Sequence, residues 1–242
     1  MLREFLPSED LRPWVDRYWL RPAGTQSAAA VIIPDGCADL VLDLSGSPGE
    51  FGEAFAVGTM TRPLILGPGS TPLMFGVRFR PGRAAAFFRA TLSEMTDQRI
   101  PARDLGSLAA QVAVNENERI AIVESALRRR LCDATFDRRI DDAIDAIVGS
   151  AGRARIEDLA RRTGVTRQHL ARLFDVNVGM SPKTFARVAR FRRAMTLGRK
   201  MAWADVAATL GYSDQSHLIA EFREFAGSSP VPFFLSRPDN DR

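Results

Sequence analysis

One segment of this chain occurs twice, and the repeat is the feature that most constrains the fold. The first copy, Gly164–Pro182, reads GVTRQHLARLFDVNVGMSP, and the second, Gly211–Pro230, reads GYSDQSHLIAEFREFAGSSP. The offset is 47 residues before the histidines and 48 after them, which places one extra residue at Ser216. A repeat of this length indicates one structural unit used twice. The aligned pairs are Gly164/Gly211, Gln168/Gln215, His169/His217, Leu170/Leu218, Phe174/Phe222, Gly179/Gly227, Ser181/Ser229 and Pro182/Pro230.

Each copy predicts a helix, a tight turn and a second helix. Apolar residues recur at helical spacing and would pack the two helices of each unit together. Glycine permits the turn, and a hydroxyl side chain can cap the second helix. The predicted first helices are Ile156–Arg162 and Trp203–Thr209, the turns lie at Gly164 and Gly211, and Thr166 and Ser213 open the second helices.

The second helix of each unit leaves polar side chains facing outward. Arginine can donate two hydrogen bonds to guanine, and glutamine pairs bidentately with adenine, so such a helix can read base edges. The candidate base-reading residues are Arg167, Gln168 and Arg172 in the first copy, and Gln215, Ser216 and His217 in the second. Ala171 is too short for such contacts. The negative charge of Glu221 and the excess of acidic residues after position 200 predict that the second unit binds more weakly.

A long helix is predicted between the two copies. Ser181 caps it, Pro182 takes its first position and Gly198 ends it. About sixteen residues at roughly 1.5 Å each give a rod of about 25 Å. Together with the width of the flanking units, this length suits two reading helices spaced by one DNA turn of about 34 Å. The candidate phosphate contacts are Thr166 at the start of the first reading helix and Lys183, Arg187, Arg190 and Arg193 on the long helix.

The charge distribution supports a polyanionic partner. Residues 1–133 carry 15 Lys and Arg against 16 Asp and Glu, whereas residues 152–200 carry 13 against 3. Residues 201–242 carry 3 against 6, so the positive charge is concentrated on the first copy and the long helix. This is the pattern expected of a protein that binds nucleic acid.

The N-terminal half predicts a different architecture. Short runs of strand-forming residues from Val31 to Phe79, separated by Gly, Pro and Ser, favour a small antiparallel sandwich or barrel. Helices are predicted near Leu11–Tyr18, after Pro81 and over Asn117–Leu131, and Asp137–Val148 begins the C-terminal half. The predicted fold class is α+β, with a sensory and dimerisation domain at 1–133 and an all-α domain at 134–242.

Cysteine and histidine usage argues against catalysis and metal binding. Cys37 and Cys132 make no disulfide framework or metal-ligand spacing, and both are predicted to be buried apolar residues. No histidine precedes His169, so we expect no metal site, no cofactor and no catalytic residues. Asp35 in the loop PDGCADL is interpreted as part of a turn.

Residues 154–237 resemble the DNA-binding domain of the AraC/XylS family of bacterial transcription regulators. The resemblance rests on RQHLARLF, GMSP, DVAATLGYSDQSHLIAEF and GSSP, at the spacing of two helix-turn-helix units joined by a long helix. Residues 10–106, with IIPDGCADLVLDL and FGVRFRPGRAAAFF, look like the cupin-like sensory domain that precedes it in many members. The resemblance implies a regulator that binds double-stranded promoter DNA, often as a homodimer, and responds to a small effector.

Several functional expectations remain open at this level. Trp19, Asp39 and Arg78 are candidates for an effector pocket, and RNA polymerase is an expected partner if the protein activates transcription. We expect no membrane segment and a cytoplasmic location. The alternatives are a cupin-type metalloenzyme, a DNA-repair methyltransferase fused to a DNA-binding domain, and a constitutive DNA binder whose N-terminal half only dimerises.

Overall fold

The computed structural model describes residues 2–26, 29–45 and 53–235. The predicted domains include residue 1 and residues 236–242, which lie outside the described residues. The end of the resembling segment, at residue 237, also lies outside them. Of the described helices, none is long and apolar enough to cross a membrane. The division at residues 133 and 134 stays a prediction.

The N-terminal half is rich in antiparallel strands. Six of them form one sheet in the order β1-β2-β9-β5-β6-β10, and two ribbons pair β3 with β8 and β4 with β7. The strands are β1 Arg3–Phe5, β2 Val15–Arg21, β3 Gly24–Gln26, β4 Ala30–Ile32, β5 Asp39–Asp43, β6 Ala54–Val57, β7 Leu64–Leu66, β8 Gly69–Thr71, β9 Met74–Phe79 and β10 Arg99–Pro101.

Three helices flank these strands. They are α1 Ala84–Phe88, α2 Gly106–Val114 and α3 Arg119–Leu131. The apolar stripe of α3 lies in the core of its own half, where Val123, Leu127 and Leu131 are buried with Tyr18 and Phe75. No helix was predicted from the sequence over the residues of α2.

The predicted helix near Leu11–Tyr18 is wrong. Glu9–Leu11 forms only a 3-10 turn, and β2 begins at Val15. The pairing of β2 with β9 shifts between Val15 and Arg17, so Asp16 is an extra residue in the ladder. This β-bulge puts Val15 and Tyr18 on the same buried face although they are three residues apart. The bulged strand therefore mimics helical spacing.

As predicted, helices joined by turns make up the C-terminal half as far as residue 235, where the described residues end. Two buried clusters hold it together, one around Phe174, Phe191 and Phe222 and a smaller one around Val206 and Leu218. The helices are α4 Arg138–Gly149, α5 Ile156–Arg162, α6 Arg167–Val178, α7 Pro182–Gly198, α8 Trp203–Leu210, α9 Gln215–Ala226 and α10 Pro230–Leu235.

The two halves are in close contact. The Arg83 guanidinium lies 2.5 Å from the Asp141 carboxylate on α4. The Thr59 hydroxyl donates a 2.9 Å hydrogen bond to the carbonyl of Val178 at the end of α6, and the Thr96 hydroxyl donates to the carbonyl of Gly179. The last carbonyls of a helix have no partner within it, so the N-terminal half supplies partners at the end of α6.

Candidate nucleic-acid interface

Side-chain caps fix where the two reading helices begin. The Thr166 hydroxyl accepts a 3.1 Å hydrogen bond from the His169 amide, and the Asp214 carboxylate accepts a 2.8 Å bond from the His217 amide. Asp214 rather than Ser213 therefore caps α9, which corrects the predicted start. A carboxylate is a strong hydrogen-bond acceptor, and its negative charge is stabilised by the positive, N-terminal end of the helix dipole.

This capping corrects the alignment of the two copies. Arg167 and Gln215 each occupy the first position of a reading helix. The extra residue consequently lies in the turn before α9, not at Ser216, and Gln168 corresponds to Ser216 rather than to Gln215. Sequence identity at the two glutamines concealed this shift, because only the caps define equivalent helical positions.

All six candidate base-reading residues are exposed on these helices. Gln168 and Arg172 have no side-chain hydrogen bond or ion pair within the described part of the chain. Arg167 lies 3.0 Å from Glu157, with both side chains largely in solvent, so this pair is weak. His217 contacts the edge of the Tyr212 ring, and its Nδ1 lies 3.2 Å from the Ser213 hydroxyl. Gln215 and Ser216 are exposed at the start of α9.

The predicted phosphate contacts fall into two groups. Thr166, Lys183 and Arg193 are exposed, and the described residues place no salt bridge on Lys183 or Arg193. Arg187 and Arg190 instead face α9, where acidic residues bind them. Their assignment as phosphate contacts stays a prediction, and these ion pairs argue against it. Their partners lie 31 to 37 positions away in the sequence, which is why the helical pattern of α7 did not reveal them.

Glu221 is the centre of this acidic and basic group. Its side chain is 3% exposed and contacts Arg187 at 3.0 Å and Arg190 at 3.1 Å. The Tyr212 hydroxyl donates a further 2.7 Å hydrogen bond to it. Burial raises the pKa of Glu221, but the hydrogen bonds from Tyr212, Arg190 and Arg187 outweigh it and hold the pKa below its usual value. Glu221 is thus a neutralised internal anion and not a negative charge on the reading surface, contrary to the sequence analysis.

The three effector-pocket candidates lie together. The Trp19 indole donates a 3.0 Å hydrogen bond to Asp39, and the Arg78 guanidinium lies 3.3 Å from the same oxygen and 3.1 Å from Asp35. Burial raises the pKa of Asp39 despite the neighbouring Arg78. The polar groups of this cluster mainly satisfy one another.

A cavity of about 400 Å³ lies beside this cluster, at the boundary between the two halves. Asp35 and Arg78 line it from the N-terminal half, and Arg192 and Thr196 line it from α7. Asp35 also forms the predicted turn, since it accepts a 2.9 Å hydrogen bond from the Cys37 amide. No local sequence pattern shows which helix faces this loop, so the contribution of α7 was not predicted.

The two cysteines differ in environment. Cys132 is exposed, which corrects its predicted burial, whereas Cys37 is half-buried. Burial, followed by the negative charge of Asp35, raises the pKa of Cys37 well above its usual value. A raised thiol pKa disfavours the thiolate that a methyl-transferring cysteine requires.

The comparisons with known proteins agree with this geometry. Residues 159–234 match a family described as a helix-turn-helix domain, and residues 3–101 match a domain family of unknown function (DUF6597). An uncharacterized HTH-type transcriptional regulator of Haemophilus influenzae is 27% identical over 118 residues, which cover 48% of this chain and 40% of that protein. The matched part of the chain therefore spans less than half of that relative.

Two solved structures resemble the chain at lower similarity. The C-terminal domain of AraT from Geobacillus stearothermophilus has a TM-score of 0.39 and 20% identity, covering 43% of this chain and 90% of that one. ToxT from Vibrio cholerae has a TM-score of 0.46 and 9% identity, covering 90% and 98%. The C-terminal half contains two helix-turn-helix units, α5 with α6 and α8 with α9, joined by α7, and its residues 159–234 are similar to the helix-turn-helix domain family.

Proposed function

We propose that this protein regulates transcription by binding double-stranded promoter DNA with α6 and α9. The observation that carries the proposal is the pair of capped helices with exposed polar surfaces, which lie before and after the 17-residue α7 in the chain and both contact it. Helices in this arrangement can enter successive segments of the major groove. Because DNA is the partner, we also propose that the protein acts in the cytoplasm.

The proposed base contacts differ between the two units. In α6, Arg172 is suited to guanine and Gln168 to adenine, with Arg167 beside them. In α9, Gln215, Ser216 and His217 form the corresponding surface. The corrected alignment places Ser216 where α6 has Gln168, and Ala220 where it has Arg172. We therefore propose that α6 contributes more base discrimination than α9.

Phosphate contacts would place both units on the duplex without reading sequence. Thr166, Lys183 and Arg193 are the proposed contributors, since they are exposed and the described residues place no salt bridge on Lys183 or Arg193. Arg187 and Arg190 are left out because Glu221 and Glu224 already neutralise them.

The proposal is tested by measuring how Arg172→Ala changes binding to a promoter fragment and to variants of it. Loss of a bidentate arginine should weaken binding by about 1–3 kcal/mol and relax the choice at one base pair. Arg103→Ala is the matched control, because it removes an equal charge from an exposed position in the N-terminal half. Equal weakening by both variants on every fragment would contradict the base-reading role of Arg172.

Regulation by a small effector, homodimerisation and contact with RNA polymerase are further parts of the proposal. Trp19, Asp39 and Arg78 support an effector site because they meet beside the cavity at the boundary between the halves. An effector would be detected as a compound that changes DNA affinity in the wild type but not in Arg78→Met. Sedimentation velocity with and without DNA measures the oligomeric state.

The regulator is favoured over the enzymatic alternatives. A cupin-type metalloenzyme needs a cluster of ligands, and the described residues contain no group of three or more His, Cys, Asp or Glu arranged to hold a metal ion. A repair methyltransferase needs an activated thiol, and the pKa of Cys37 is raised rather than lowered.

A further inference from the structure

Glu221 occupies an unusual position for a carboxylate on a DNA-reading helix. It is 3% exposed, and both of its oxygens accept hydrogen bonds. A buried carboxylate is costly to ionise unless it is paired and hydrogen-bonded, and removal of a partner leaves an uncompensated group. The site therefore holds α9 in the one arrangement that keeps all of these bonds.

The donors to Glu221 come from outside α9. Arg187 and Arg190 lie on α7, one helical turn apart, and Tyr212 lies in the turn that precedes α9. The Arg190 guanidinium also lies over the Tyr212 ring, 4.4 Å from its centre. One carboxylate thus joins the long helix, the turn and the second reading helix.

Apolar packing alone does not define such an arrangement. Phe222 and Phe225 of α9 pack against Phe191 of α7 with ring centres 5.1 and 5.4 Å apart. These contacts are non-directional and stabilise a range of helix rotations, whereas hydrogen bonds to a buried charge are directional. Buried polar groups are best attested as devices that fix register.

The network also reaches the reading surface. Tyr212 donates its hydroxyl to Glu221, and the edge of its ring contacts His217 at 5.3 Å between centres. A change in Glu221 would consequently alter the placement of His217, although Glu221 itself is buried.

We infer that Glu221 is a positioning residue that fixes the rotation of α9 against α7, and hence the register in which the second unit reads DNA relative to the first. The part of this inference that concerns the reading of DNA rests on the proposed function. Arg187 and Arg190 serve this role instead of contacting phosphates.

The first test measures the relative placement of the two reading helices without DNA. Spin labels are attached in the full chain through Ala171→Cys and Ala220→Cys, with Cys37 and Cys132 replaced by serine, and the distance distribution is recorded by electron paramagnetic resonance. A single narrow distribution is expected for this background, and Glu221→Gln should broaden or shift it. Glu224→Gln is the matched control, because it removes the same charge from the same helix at an exposed position that also binds Arg187.

The second test measures DNA recognition by the same variants without labels. Duplexes differ by one or two base pairs in the distance between the sites read by α6 and α9. The preference of the wild type for one spacing should fall by about tenfold in Glu221→Gln. Discrimination at the site read by α6 should be unchanged, and Glu224→Gln should keep the wild-type preference.

The inference would be overturned if Glu221→Gln folds and shows both an unchanged distance distribution and an unchanged preference for duplex spacing. If Glu221→Gln does not fold, Tyr212→Phe takes its place, since it removes one bond to Glu221 and should give a smaller broadening. A wild type that binds no DNA selectively would contradict the proposed function, while the distance measurement would still decide the positioning role.

Discussion

Gly179 lies at the contact between the end of α6 and the N-terminal half, and its replacement by alanine probes that contact. Its φ is +79°, and a Cβ there would lie 2.6 Å from the Thr59 hydroxyl and 2.8 Å from the Leu92 carbonyl oxygen. The second of these atoms is backbone and cannot rotate away. Gly179→Ala must therefore move the segment around Leu92 away from α6.

Gly164→Ala is the matched control. Gly164 has a similar φ of +69°, but a Cβ there would meet nothing within 4 Å. Both variants pay the left-handed backbone cost of about 1–2 kcal/mol. Gly179→Ala additionally disrupts the bonds from Thr59 to Val178 and from Thr96 to Gly179. Leaving a buried polar group unpaired costs about 1–3 kcal/mol, which is the expected excess of Gly179→Ala over Gly164→Ala.

Urea denaturation of the full chain, followed by circular dichroism, measures the free energy of unfolding of both variants. We expect the urea concentration at the unfolding midpoint to be clearly lower for Gly179→Ala than for Gly164→Ala. Free energies that agree within about 0.5 kcal/mol would refute the close approach of the two halves at this position.

Three further predictions concern other contacts. Arg83→Met should lower the free energy of unfolding by about 1–3 kcal/mol. Adding Asp141→Asn to Arg83→Met should lower it little further, because both changes remove the same ion pair. A double-mutant cycle in urea measures this coupling, and additive losses would contradict it. Thr166→Ala and Asp214→Ala should each cost about 0.5–2 kcal/mol in thermal unfolding through loss of a helix cap, and unchanged midpoints would exclude the capping assignment. The pKa of Glu221 is lowered on folding, so ionised Glu221 stabilises the fold above the ordinary pKa of 4.5, and this stabilisation is lost as the pH falls below that value. The difference in unfolding free energy between the wild type and Glu221→Gln should therefore shrink below about pH 4.5. A difference that stays constant with pH would argue against an ionised Glu221.

The helical half was largely predictable because its signals are local. Ile156–Arg162 and Pro182–Gly198 form the helices expected from spacing, caps and the proline at the first position. Phe174 and Phe222 are buried at equivalent places in the two copies, as the repeat implies. Each of these features depends on residues within one helical turn or one repeat.

The features that failed depend on contacts between distant residues. The extra residue at Asp16 is defined by pairing with β9, more than sixty positions away, so β2 looked like a helix. Arg187 and Arg190 carry the spacing of exposed phosphate contacts, and only their approach to Glu221 shows that they are engaged. Trp19, Asp39 and Arg78 were predicted to share a pocket, but their hydrogen bonds and the approach of α7 are seen only in the folded chain.

The most direct test of the account is a salt-dependent titration of the full chain on a fragment upstream of its own gene and on an unrelated duplex. We expect selective binding, with the logarithm of the binding constant falling linearly as the logarithm of the salt concentration rises. We also expect Lys183→Gln and Arg193→Gln each to reduce the slope by about 0.9, the value expected for one phosphate contact. Equal affinity for both duplexes at every salt concentration, with the protein folded, would contradict the central claim that α6 and α9 read DNA sequence.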